Sequence, residues 1–193
     1  MLDKAEAKAL VDFAAGYRSE LSSALDQIDN HKVAQAIDWL REARDENRQI
    51  FVCGNGGSAA TASHLVGDLV HSASAGAEKR FRALCLNDSI PAMTALANDD
   101  SFAHVFDFPL KNFARQDDIL IVLSGSGNSA NLVEAVKEAK RIGCRSIAMT
   151  GRDGGRLGAL ADLDINIPEH HMGRIQDAHM AVCHMICYYF IDR

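Results

Sequence analysis

Apolar residues recur at helical spacing over residues 3–48, as Leu10, Phe13, Leu21 and Leu25 and then as Val33, Ile37 and Leu40. The polar run Asp29, Asn30, His31 interrupts the pattern, so the spacing predicts two helices. From Gln49 the texture changes to short apolar runs: IFVC, RALCL, ILIVLS, RSIAMT and LDINI read as five strands. Amphipathic stretches separate them, starting near Ala59, Ser89, Asn128 and Gly154, and a last one runs from Arg174 to Asp192. Alternation of this kind predicts an α/β fold, a three-layer sandwich with a five-stranded, mainly parallel sheet, preceded by an N-terminal helical pair. A chain of 193 residues is long enough for one core, so a single domain over 1–193 is expected, with helices in 1–48 and the α/β core in 49–193.

Composition narrows the function classes. Apolar residues make up 48% and charged residues 24%, a globular balance. The net charge of -6 is spread along the chain without a basic stripe, which argues against direct nucleic-acid binding. The N-terminus is charged from its third residue, and no apolar run approaches a membrane span. A cytoplasmic protein with no membrane partner is expected. The five cysteines, at 53, 85, 144, 183 and 187, sit mostly in apolar runs and show no CxxC spacing. They read as buried free thiols rather than disulfides or a cysteine zinc site.

Two turns carry candidate chemistry. The first predicted strand ends in Gly54-Asn55-Gly56-Gly57-Ser58, and the third in Ser124-Gly125-Ser126-Gly127-Asn128-Ser129, each directly before a helix. Glycines let backbone approach an anion, and a helix N-terminus offers unpaired N–H groups and a favourable dipole. Alone, either turn could equally be a capped helix start; together they suggest phosphate. Neither is a GxGxxG fingerprint or a GK[ST] loop, so nucleotides are disfavoured. His64 and Asp68 are four residues apart and share a helix face, a spacing able to hold one metal. Gln176, Asp177, His179 and His184 form a second polar group on the last helix. Spacing alone leaves a structural role open for each histidine.

The segments GNGGSAA at 54–60, AND at 97–99, SGSGNSAN at 124–131, TGRDGG at 150–155 and RIQDAH at 174–179 resemble the sugar isomerase (SIS) domain family. Within it the chain is most similar to the phosphoheptose isomerases, which interconvert sedoheptulose 7-phosphate and D-glycero-D-manno-heptose 7-phosphate. The resemblance implies a flavodoxin- or Rossmann-like SIS fold, a homotetramer with sites near subunit interfaces, and one zinc per subunit. It implies substrate contacts from Asn55, Gly56, Gly57, Ser58, Asn98, Asp99 and Gln176, with Ser124, Ser126 and Ser129 on the phosphate. His64, Asp68, Gln176 and His184 would be the zinc ligands, with Asp68 and His184 catalytic. Gln176 and His184 are separated by about 12 Å of helix, so long side chains must converge or subunits must share.

The chain also departs from the family pattern. Position 68 is Asp where the family carries Glu, position 72 is Ser where its enzymes carry Arg, and Gly125 replaces a middle hydroxyl. Lys79, Arg80 and Arg82 are the nearby cations that could compensate for the Arg. The alternative reading is a non-catalytic SIS protein that binds a sugar phosphate or a protein partner, similar to the replication-initiator-associating protein of the superfamily.

Overall fold

Asp3 starts the first helix. Its carboxylate accepts from the backbone N–H groups of Ala5 and Glu6 while the Glu6 side chain accepts from the Asp3 N–H, a complete capping box. Asp29 caps the second helix through His31 N–H, which explains why the polar run there divides two helices.

The computed structural model describes residues 2–192, which form eight α-helices and five strands. In chain order these are α1 (Lys4–Leu25), α2 (Asn30–Asp45), β1 (Gln49–Gly54), α3 (Gly57–Val70), β2 (Arg82–Cys85), α4 (Ile90–Asp99) and α5 (Asp107–Phe113). There follow β3 (Ile119–Ser124), α6 (Ala130–Ile142), β4 (Arg145–Gly151), α7 (Gly155–Leu160), β5 (Leu163–Ile167) and α8 (Met172–Ile191). All five expected strands and the expected helices form; α5 is an addition within the segment after α4.

The sheet order is β2-β1-β3-β4-β5 and every pairing is parallel. Strands covered on both faces need apolar side chains on both, which is why β1 and β3 read as unbroken apolar runs. Ile50, Val52, Ile121 and Leu123 pack with Leu40, Leu65, Leu69, Val182 and Ile186 from α2, α3 and α8. Phe51, Cys53, Leu120 and Val122 face the other way, against Phe106, Leu110, Leu132 and Val136 beside α5 and α6. The three-layer expectation therefore holds.

The order matters for the site. From β1 the chain moves to β2 on one side and then returns to β3 on the other, so β1 and β3 are the strands at which the winding reverses. Their carboxyl ends lie side by side, with Gly54 in register with Leu123. The helices after them leave toward opposite faces of the sheet and open a crevice between the two turns.

All five cysteines are free and buried, as expected. Burial pushes the Cys85 thiol up to about 11 and the Cys144 and Cys187 thiols up to about 12, so they stay protonated and inert. Among the described residues, no helix is long and apolar enough to cross a membrane.

Candidate functional site

The two glycine turns meet at a cleft of about 290 Å³. Every expected substrate contact lines it except Asn98 and Asp99, and Met172 and Gln176 close it from the start of α8. Among the described residues no charged side chain lines it. Its polar groups are backbone amides, serine hydroxyls and the Asn55 and Gln176 amides. Gly56 at φ 56 heads α3, and Ser129 heads α6 without spending its side chain on a cap. Neither helix is capped by the side chain of its N-cap residue, the arrangement that suits an anion. A larger hollow of about 800 Å³ lies beside β2, but Leu84, Leu96, Phe108 and Phe113 make it apolar and it lacks converging donors. The smaller cleft is the candidate site.

The turn glycines sit in close quarters, against movable side-chain ends at Gly57 and Gly125 and against backbone at Gly127. A Cβ on Gly57 would come within 2.5 Å of Gln176 Oε1, and one on Gly125 within 2.5 Å of Met172 Sδ. At Gly127, with φ 65, it would come within 2.1 Å of Gly154 O. The TGRDGG segment therefore packs directly beneath the second turn. Leu157 N–H donates to Gly127 O at 2.9 Å and Arg156 N–H to Asn128 Oδ1 at 3.1 Å.

Four asparagines frame the turns. Asn87 accepts from Gly54 N–H at 3.2 Å and donates to Gly54 O at 2.9 Å. Asn128 donates to Ser126 O at 2.9 Å. Asn131 and Asn55 exchange two side-chain hydrogen bonds, each 2.9 Å. Asn87 and Asn131 escaped the sequence reading because their partners are 33 and 76 residues away. Asn131 stands inside the SGSGNSAN segment, the one signal that pointed to it.

His64 and Asp68 project from α3 and His184 from α8. The two histidine Nε2 atoms are 2.9 Å apart, and Asp68 Oδ2 is 3.3 Å from His64 Nε2. One ligand atom from each of the three residues lies within 4.8 Å of the others. Two neutral imidazoles facing through Nε2 can share only one proton, and a cation between them would use both lone pairs. Two ring nitrogens and a carboxylate are a donor set suited to zinc and related divalent ions. The residues present fit a metal.

Gln176, expected beside them, lies instead in the cleft against Gly57. Helices α3 and α8 run side by side, Gly57 meeting Gln176 and His64 meeting His184. Cleft and cluster are therefore about two turns, roughly 10–12 Å, apart along one seam. Asn98 and Asp99 end α4, exposed, with Asn98 donating to Asp99 Oδ1 at 2.7 Å. The structure does not bring them into the lining of the cleft. Two of the three suggested compensating cations are engaged elsewhere: Lys79 donates to Asp45 O at 2.9 Å and Arg82 to Asn47 O at 3.1 Å.

The start of α8 is pinned by polar contacts. Tyr17 donates to Asp177 Oδ2 at 2.5 Å, and Arg174 bridges Glu169 and Glu20. The Arg174 hydrogen bonds, joined by the His171 N–H, hold the Glu169 carboxyl down at about 2. His179 is buried, and its Nε2 lies 3.1 Å from Thr150 O. Desolvation lowers its pKa to about 4, so it is neutral, donates through Nε2 and leaves Nδ1 without a partner.

The family described as SIS domain matches residues 15–151. A probable phosphoheptose isomerase of Thermoplasma acidophilum is 38% identical over 175 residues, covering 90% of this chain and 95% of that protein. The phosphoheptose isomerase of a Nitratiruptor species is 39% identical over 150 residues, 76% of this chain and 78% of its own. The solved phosphoheptose isomerase of Neisseria gonorrhoeae superposes with a TM-score of 0.88 at 33% identity, over 95% of this chain and 100% of that one.

Proposed function

Because the chain belongs to the phosphoheptose isomerase family of SIS-domain proteins, we propose that it interconverts sedoheptulose 7-phosphate and D-glycero-D-manno-heptose 7-phosphate. The observation that carries this reading is the shared seam of α3 and α8, with an anion cleft at Gly57 and Gln176 and a basic, acidic and metal-competent cluster two turns on. A phosphate in the cleft leaves roughly 10 Å to the cluster. An extended seven-carbon chain, advancing roughly 1.3 Å per bond, spans about that distance.

In this reading the turns hold the phosphate by backbone amides and by Ser124, Ser126 and Ser129. Asn55 and Gln176 orient the sugar. Asp68 removes the proton from C1 of the ketose and returns it at C2 of the enediol, while His184 moves the proton between the two oxygens. A zinc ion would be held by His64, Asp68 and His184, and would supply polarisation of the sugar oxygens; Gln176, expected as a fourth ligand, stays with the cleft. One zinc per subunit, a single-domain subunit and a cytoplasmic homotetramer without direct nucleic-acid contact complete the proposal. Helix α1 supports assembly: Leu10, Val11 and Phe13 are 58%, 67% and 73% exposed along it, an apolar face that another copy would cover. Asn98 and Asp99, exposed on α4, would then reach a site only across an interface.

The test is turnover of sedoheptulose 7-phosphate and a panel of ketose phosphates, with and without chelator, following the aldose product. Aldose from the heptulose phosphate, lost with chelator, is expected. Sugar-phosphate binding without turnover of any ketose would replace the enzyme by the non-catalytic binding protein.

A further inference from the structure

Asn131 is on the first turn of α6, 2% exposed, and does not line the cleft. Its Nδ2 donates to Asn55 Oδ1 while its Oδ1 accepts from Asn55 Nδ2, both at 2.9 Å, and the same Oδ1 accepts from Leu132 N–H at 3.0 Å. Asn55 belongs to the first glycine turn and Asn131 to the helix that begins at the second. The reciprocal amide pair therefore ties the two turns directly to each other.

The cleft needs such a tie for a physical reason. Each turn is loosened by a glycine at positive φ, Gly56 and Gly127, and its other polar anchors hold it separately: Asn87 steadies Gly54, while the Arg156 and Leu157 N–H groups steady Asn128 and Gly127. With no charged side chain lining the cleft, affinity for a phosphate depends on many neutral donors pointing at one place. A displacement on the order of 0.5 Å between the turns would spoil that convergence. Burial removes competition from water, so the amide pair holds its geometry.

We infer that Asn131 is a positioning residue for the phosphate site: it keeps Gly56, Gly57 and Ser58 in register with Ser124–Ser129. It also commits the Asn55 carbonyl and one of its N–H groups, leaving a single N–H of that side chain to face a sugar. The inference rests on the phosphosugar reading of the cleft.

The experiment is a double-mutant cycle of Asn55→Ala and Asn131→Ala, read by KM and kcat with sedoheptulose 7-phosphate and by calorimetric binding of inorganic phosphate well below the melting temperature. Loss of register weakens ground-state and transition-state binding alike, so Asn131→Ala should raise KM about tenfold and leave kcat within about twofold. Phosphate affinity should fall by a similar factor. The double variant should be no worse than Asn55→Ala alone, because both act through one contact. If alanine at 131 does not fold, Asn131→Ser, too short to reach Asn55, takes its place with the same expectation. A folded variant with unchanged KM and phosphate affinity, or additive effects in the cycle, overturns the inference. Failure of the wild-type protein to bind any sugar phosphate would instead overturn the functional reading on which it stands.

Discussion

The cleft and the cluster share two helices yet are built from different material. In the cleft the working groups are mostly backbone, and the critical positions of its turns are those where a side chain must be absent, as at Gly54 and Gly127, where a Cβ would meet backbone. In the cluster the working groups are three side chains, with His64 45% exposed and Asp68 22% exposed at the side chain, on helices whose backbone is unexceptional. A site made of backbone fails when the backbone moves, and tolerates loss of any one hydroxyl. A site made of side chains fails when one chemical group goes, while the fold stays intact.

The largest effect expected from this contrast is at the cluster. His184→Ala should lower kcat by about 10²–10⁴-fold, the range for a lost acid–base group, with melting temperature and phosphate affinity nearly unchanged. Parallel loss of phosphate affinity would show that the two sites are not separable. Undiminished turnover would remove His184 from the chemistry.

Gly127→Ala should act in the opposite way. A Cβ 2.1 Å from Gly154 O, at φ 65, has no flexible neighbour to yield, so urea unfolding should show a loss of roughly 3 kcal/mol together with weak phosphate binding. Gly76→Ala is the control: it has φ 70 but nothing within 4 Å, and should cost about 1 kcal/mol with full activity. Equal costs would deny that the second turn depends on close packing.

His179 lies on α8 between the two sites and gives a pH handle on both. Its pKa is about 4 in the folded chain against 6.5 for the free group, so as pH falls the unfolded chain takes up the proton first. Its contribution to stability is whole above pH 6.5, drains as pH falls toward about 4, and amounts to about 3 kcal/mol. His179→Gln should flatten the stability profile in that window; Glu169 acts lower, between its ordinary 4.5 and about 2. An unchanged profile in the variant would place the acid sensitivity elsewhere.

The smallest effect should come from Ser126→Ala. One neutral hydroxyl among many donors is worth about 1 kcal/mol, so KM should rise about fivefold with kcat unchanged. A loss of a hundredfold or more would mean that the cleft relies on single side chains after all.

The strands and the two glycine turns were legible because their signals are local. Unbroken apolar runs ending in Gly and Ser before an amphipathic stretch describe a buried parallel strand running into a helix start wherever they occur. The wide separation of Gln176 from His184 was legible too, since it follows from helical rise. Helix α5 was missed because Phe106, Asp107, Phe108, Pro109 and Leu110 read locally as an irregular apolar stretch; Asp107, accepting from His104 and Lys111, shows its worth only once packed. The placement of Asn98 and Asp99 outside the cleft was likewise invisible, because it depends on the direction α4 takes after β2.

The chain's own pattern thus determined the elements, their parallel packing and the chemistry available at each strand end, since these depend on neighbours a few residues away. Tertiary structure alone decided what meets what. It brought His64 to His184 across 120 residues and Asn55 to Asn131 across 76. It also set Gln176 in the cleft against Gly57 rather than beside His184. Such meetings follow from strand order and from the angle at which α8 crosses α3, quantities set by the packing of the whole core and written in no single segment.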